Sequence, residues 1–566
     1  ITLAEGATIE AASVGIYAAG YAKWDLAGTI NADYAITIKS GDFTITGGSY
    51  TSTGNFVDPA EANSNGTEDT GAAISITTNP AYAQKTNVTI TGGTFISENG
   101  YAFYEGIAVK DGQPIAEAST AVIAITGGTF VGNAEKGSIM IATAKDKQVI
   151  TGGYFSMMPP NEFLADGVIS IKDTAAPENA PVALRQFAAQ CGTTAYPTLR
   201  DAIIHNQRSD KYGQTIKLLR NVTETKVVQV GETLIANATD SNVIVDLNGK
   251  TVTFEDEGTF QITEKGALTL SGKGKVISKT ADGDVVRIFG SQNDVANECV
   301  LNVGKDVTLE GEVGIAVYKG YPVETKCLGV NVTVEGTIIS HSSFAAYING
   351  SNKTTTGNVP TFSFTGTSKI QADTVAVYAA GYGKWTFAGN VTAGDDALSI
   401  KCGDITITGG TYMAKGEFND PADANGNGTE NTGAAVSITT NSAYAPKTNV
   451  TITGGTFISE NGYAFYEGIA KKADGTLAAE ASTAVIAIQG GDFTGNADLT
   501  ADIAVTTAEN KQVVSGGTFS KPVALAYCAP GYIPVVGTEG KYTVDGTAVA
   551  AVANTAGDGT YYTGYG

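Results

Sequence analysis

One six-residue pattern recurs eight times in this chain: an apolar residue, a polar one, two glycines, a variable position and an aromatic. It occupies residues 45–50 (ITGGSY), 90–95, 125–130, 150–155 (ITGGYF), 407–412, 452–457, 488–493 (IQGGDF) and 514–519 (VSGGTF). Successive starts lie 45, 35 and 25 residues apart in the first set, and 45, 36 and 26 in the second. The residues before each pair alternate, as in VTIT, with the period of a strand that buries one face. The two glycines allow a sharp bend where a Cβ would clash. The aromatic that follows can turn back inward. Strand, bend and inward aromatic, repeated without helical patterning between, predict stacked coils of about 20–25 residues. The wider spacings fit one coil with an inserted loop, or two coils.

A longer repeat contains the short one. VTITGGTFISENGYAFYEGIA stands at 88–108 and again, unchanged, at 450–470. IYAAGYAKW at 16–24 returns as VYAAGYGKW at 377–385, and KSGDFTITGGSY at 39–50 as KCGDITITGGTY at 401–412. The alternation between motifs (AAISITT, NVIVDLNGKTVTF, GALTLSGKGKVIS) suits a parallel β-helix, so the fold class expected is all-β, a β-helix tandemly duplicated. YPTLRDAIIHN places Leu199, Ala202 and Ile203 on one helical face, which predicts a short capping helix near 198–206 over an open sheet end. The expected units are 1–188, the later part of one β-helix; 189–545, a second with its cap; and 546–566, the start of a third or a segment joining two chains. About 23 residues per coil would make a rod on the order of 100 Å long.

Composition narrows the function classes. The net charge is −22, which argues against nucleic acid and anionic lipid and favours cations. The cysteines, 191, 299, 327, 402 and 528, are odd in number and lack a C-x-x-C pair, so scattered buried thiols are expected rather than a zinc ribbon. No run of about 20 apolar residues is present, so no membrane-inserting helix is expected.

The series YPTLRDAI, TIKLLRNV, VIVDLNGKTVTF, GALTLSGKGKV and ITGGTF resembles the large repetitive surface proteins of gut-type Gram-positive bacteria, with pectate-lyase-like right-handed β-helix repeats. The resemblance covers most of the chain. It implies an extracellular or cell-surface location and a structural or adhesive role, with other copies of the chain, head to tail, or host and plant glycans as partners. A second likeness, over about 20 residues (GDDALSIKCGDITITGGTY), is to β-helical domains that bind polygalacturonate with calcium.

The chemical candidates are few. Oxygen ligands at every second position, as in D-x-[DN]-x-[DN]-G, can converge on calcium. Asp423, Asn425 and Asn427 make that half-loop, and Glu61, Asn63 and Asn65 hold the matching places in the first copy. The twelfth position is Ala434 or Ala72 instead of Glu, and the competing reading is an Asx-rich surface turn. Trp24 and Trp385, with Tyr21 and Tyr382, are candidates for stacking on sugar rings or for packing, and Asp395 and Asp396 join them through the polygalacturonate likeness. Calcium is thus the one cofactor considered. A polysaccharide lyase would need carboxylates clustered beside a basic residue. The five arginines, at 185, 200, 208, 220 and 287, fall outside the duplicated coils, and neither His205 nor His341 adjoins an acidic cluster in sequence. No enzymatic activity is therefore expected.

Overall fold

Alternating residues form strands with one buried side, as Gly403–Ile407 shows: Gly403, Ile405 and Ile407 are buried, while Asp404 and Thr406 are not. The computed structural model describes all residues except 58–61, 64–65, 68–69, 83–84, 209–212, 232–240, 282, 319–326, 349–353, 419–423, 426–427, 430, 442–446, 473, 547–549, 553–559 and 563–566. Two units separate after residue 188: Ile1–Ala188 and Ala189–Gly566. Apart from short pairs in inserted loops, successive strands go in turn to three sheets, so each strand lies beside one from the preceding round. Among the described residues, the three main sheets of the first unit have 5, 8 and 5 strands and those of the second 12, 13 and 10, nearly all parallel. One helix, α1 (Leu199–Arg208), and short 3-10 turns complete the described elements. No described helix is long and apolar enough to cross a membrane.

The double-glycine motifs coincide with the corner between first and second sheets. In the first unit Leu26, Ile45, Ile90, Ile125 and Ile150 stand side by side in register. In the second, Phe387, Ile407, Ile452, Ile488 and Val514 do the same. Ile45 pairs directly with Ile90, so the 45-residue spacing is one turn carrying a loop, not two turns. The aromatics beyond the corner stack. Tyr50, Phe95, Phe130 and Phe155 have centroids 5.0, 4.9 and 5.2 Å apart, and Tyr412, Phe457, Phe493 and Phe519 are 5.1, 4.7 and 4.9 Å apart. Gly48 and Gly410 take φ of 85° and 86°. A Cβ there would lie 1.9 Å from the carbonyl oxygen of Gly28 or Gly389 in the adjoining turn. All five cysteines are free and buried.

In both units the second sheet ends by reversing direction. Gly152–Phe155 pairs antiparallel with Val182–Gln186, which pairs with Val168–Ile171. Thr518–Phe519 meets Tyr542–Asp545, which meets Ile533–Val536 in the same way. Within 546–566, Ala550–Val552 and Thr560–Tyr562 form an antiparallel pair.

The second unit begins with an antiparallel pair, Ala189–Cys191 and Thr194–Tyr196, followed by α1. Leu199, Ala202 and Ile203 are buried as the sequence predicts, but the helix reaches Arg208 because Asn206 and Gln207 are buried too. The Gln207 side chain does the work of a missing strand. Its Nε2 donates to the Gln229 carbonyl at 2.9 Å, and its Oε1 accepts the Gly231 N–H at 3.0 Å. Arg200 Nε donates to the Val227 carbonyl at 3.2 Å. At the helix start Glu224 Oε1 accepts the N–H groups of Leu199 and Arg200, at 2.9 and 3.2 Å. Gln207→Leu keeps the volume but leaves a buried carbonyl and a buried N–H unpaired. It is expected to lower stability by about 2–4 kcal/mol, read from urea denaturation.

Candidate functional site

The residues proposed for calcium mostly escape description. Glu61, Asn65, Asp423 and Asn427 lie outside the described residues. Asn63 and Asn425 have described backbones: each ends a two-residue strand, facing Gly66 and Gly428 across an antiparallel pair. Among the described residues, no three His, Cys, Asp or Glu side chains converge to hold a metal ion.

The sugar-stacking set divides between surface and core. Tyr21 is exposed, and its hydroxyl donates to Asp42 Oδ2 at 2.6 Å. That bond and another from Asn87 hold the Asp42 carboxyl below its ordinary range. Trp24 is half-buried and stacks on Phe43 at 5.4 Å. Trp385 is only 1% exposed and stacks on Phe362 at 3.7 Å, so it faces the interior and no sugar ring can reach it. Tyr382 is buried as well and donates to Asp404 Oδ2 at 2.9 Å. Phe362 lies beside Trp385 in register, whereas the strand adjoining Trp24 is the two-residue Thr2–Leu3, paired with Asp25 and Leu26.

Asp395 is half-buried, but Asp396 is wholly buried and does not face a ligand. Its Oδ1 accepts the N–H groups of Thr432 and Ala434, both at 2.9 Å, while its Oδ2 is buried with no partner among the described residues. Burial pushes its carboxyl up to about 7, against the pull of those bonds and of the buried Lys401 cation. In the first unit Tyr34 stands at this position.

A polar cluster absent from the sequence reading lies on the outward side of the third sheet. Strand register puts Gln229, Gln261, Arg287, Ala316, Tyr347 and Tyr378 in one column. Arg287 Nε donates to Asp284 Oδ2 at 2.8 Å. The Tyr318 hydroxyl donates to the same oxygen at 3.1 Å, and the Tyr347 hydroxyl donates to that of Tyr318. Asp284 is 2% exposed, and burial raises its carboxyl despite Arg287. Burial also pushes Tyr318 up to about 12 and raises Tyr347 further. Both phenols therefore stay protonated at neutral pH, serving as fixed donors rather than bases. Together they hold Asp284, and Asp284 holds the Arg287 guanidinium by Nε alone. Its two terminal nitrogens make no hydrogen bond to a described residue. Arg287 lines a cavity of about 320 Å³ together with Asp256, Glu257, Gly258 and Thr280.

A second grouping corrects the reading of His341. Its Nε2 lies 3.5 Å from Glu310 Oε1 and its Nδ1 3.6 Å from Asp373 Oδ2. These acids are 31 and 32 positions away in sequence, one turn before and one after. His205 accords with its expected place in the cap helix, with Nδ1 3.2 Å from the Tyr196 hydroxyl.

No family model, curated protein or solved structure matches this chain.

Proposed function

We propose that the protein is an extracellular or cell-surface scaffold of tandem right-handed parallel β-helix units, used for projection, adhesion or assembly. The observation that carries this reading is the rotation of strands through three sheets with the same interior columns in both copies, Ile45 to Ile150 and Ile407 to Val514. Such a unit is stabilised mainly by contact between adjacent turns, and its length grows with turn number. Ten parallel strands at about 4.8 Å give the second unit a length of roughly 50 Å. The sequence resemblance to repetitive Gram-positive surface proteins points the same way. The third sheet of the second unit ends on a parallel strand, Ile503–Val505, and an edge of that kind can pair with another copy, so head-to-tail association belongs to this reading. The calcium-bridged pectin reading is weaker, because Trp385, Tyr382 and Asp396 are buried.

Negative-stain imaging of the purified chain, with sedimentation over a concentration series, tests the proposal. Elongated particles that lengthen end to end with concentration are expected. Isodiametric particles of one size at every concentration would overturn it.

A further inference from the structure

We propose that the start of the second unit carries a binding site for an acidic saccharide, one with carboxylate or sulfate groups set among free hydroxyls. The site needs no metal and goes beyond the scaffold role.

Five arginines occur in a chain of net charge −22. Three of them, Arg200, Arg208 and Arg287, come together with Lys226 around two cavities of about 320 Å³ each. Val227 and Glu257 line both cavities, so the two are neighbours on the surface. Their cations come from different elements: Arg200 and Arg208 from α1, Lys226 from the turn before Val227–Val230, and Arg287 from Asp284–Phe289. Four cations stand here beside three carboxylates, Asp256, Glu257 and Asp284, so in a strongly acidic protein this is a place where cations gather rather than one where acids dominate.

Two of the guanidinium groups are already oriented. Asp284 holds Arg287 by Nε, and the Val227 carbonyl holds Arg200 by Nε. Neither Nε bond uses the terminal nitrogens, which form the fork that fits a carboxylate or sulfate in a bidentate manner. Orientation before binding removes part of the entropy cost of capture. Arg208 and Lys226 are exposed and add charge at the rim.

The acidic residues select the ligand. Asp256 and Glu257 are exposed at the same cavity. Against a phosphate-dense polymer they would be repulsive. Against a sugar they accept hydrogen bonds from hydroxyl groups, which phosphodiesters do not offer. Cations and carboxylates side by side therefore suit a molecule that is both anionic and rich in donors.

The test is calorimetric titration of the full chain in EDTA with four probes. These are a galacturonate hexamer, its methyl ester, a heparin-derived hexasaccharide and inorganic polyphosphate. At least one acidic oligosaccharide is expected to bind, weakening as salt rises. If the hexamer binds, its methyl ester should bind at least tenfold more weakly; the two acidic probes distinguish uronate from sulfate. The double variant R208Q/K226Q removes two exposed charges and should lose at least tenfold in affinity, with only a small drop in melting temperature from the lost cation at the end of α1. The proposal is overturned if neither acidic oligosaccharide binds, if the hexamer binds and its methyl ester matches it, if the variant binds like the parent, or if polyphosphate binds as tightly as the acidic sugar that binds.

Discussion

Gly410→Ala is expected to destabilise the second unit by more than about 3 kcal/mol. Two costs combine. An alanine held at φ of 86° pays about 1–2 kcal/mol for the left-handed region. Its Cβ would also lie 1.9 Å from the Gly389 carbonyl oxygen, a backbone atom of the adjoining turn. Backbone cannot swing aside as a flexible side chain does, so the turns must part. Gly475 separates the two costs: its φ is 82°, yet nothing lies within 4 Å of an added Cβ. Gly475→Ala should therefore lose only about 1–2 kcal/mol. Urea unfolding of the two variants checks the difference. Equal losses would mean that the corner tolerates a side chain and that stacking does not depend on the glycine pair.

Asp396→Asn is expected to change how stability responds to pH. In the folded chain the buried carboxyl titrates at about 7, compared with its ordinary 3.8. Between those values the folded state keeps a proton that the unfolded state has lost, so stability falls as pH rises through this window. The contribution is complete below pH 3.8 and has been lost once the pH passes about 7. The integrated loss is on the order of 4 kcal/mol. Asparagine cannot ionise, and its Oδ1 still accepts from Thr432 and Ala434. Its Nδ2 inherits a position without a partner, a fixed cost that does not vary with pH. The readout is therefore the slope. From pH 4 to pH 8 the parent should lose a few kcal/mol relative to the variant in urea unfolding. Parallel curves for the two would show that Asp396 ionises freely in the fold.

The long parallel sheets were legible because their causes are local. A double glycine is a steric requirement written at one place, and V-T-I-T states its own buried face. For Trp385, the packing alternative follows from the same rule. In Lys384–Phe387, Trp385 and Phe387 are two apart and share a side, and that side is buried. What the sequence hid depends on register. Arg287 meets Tyr318 and Tyr347 only because successive turns in this region take about 30 residues, a length set by loops with no repeated signal. His341 meets Glu310 and Asp373 for the same reason. The one available hint was the charge of Arg287 inside the apolar run Asp284–Phe289, a placement that costs energy unless a partner waits nearby.

The reversed strands that finish the second sheet in each unit bear on what can be added there. A parallel stack normally offers its last edge to whatever strand comes next. Here the outermost strands are Val168–Ile171 and Ile533–Val536, each reached through an antiparallel partner. Any strand joining that edge would meet a reversed ribbon, so the parallel winding of this sheet stops within its own unit.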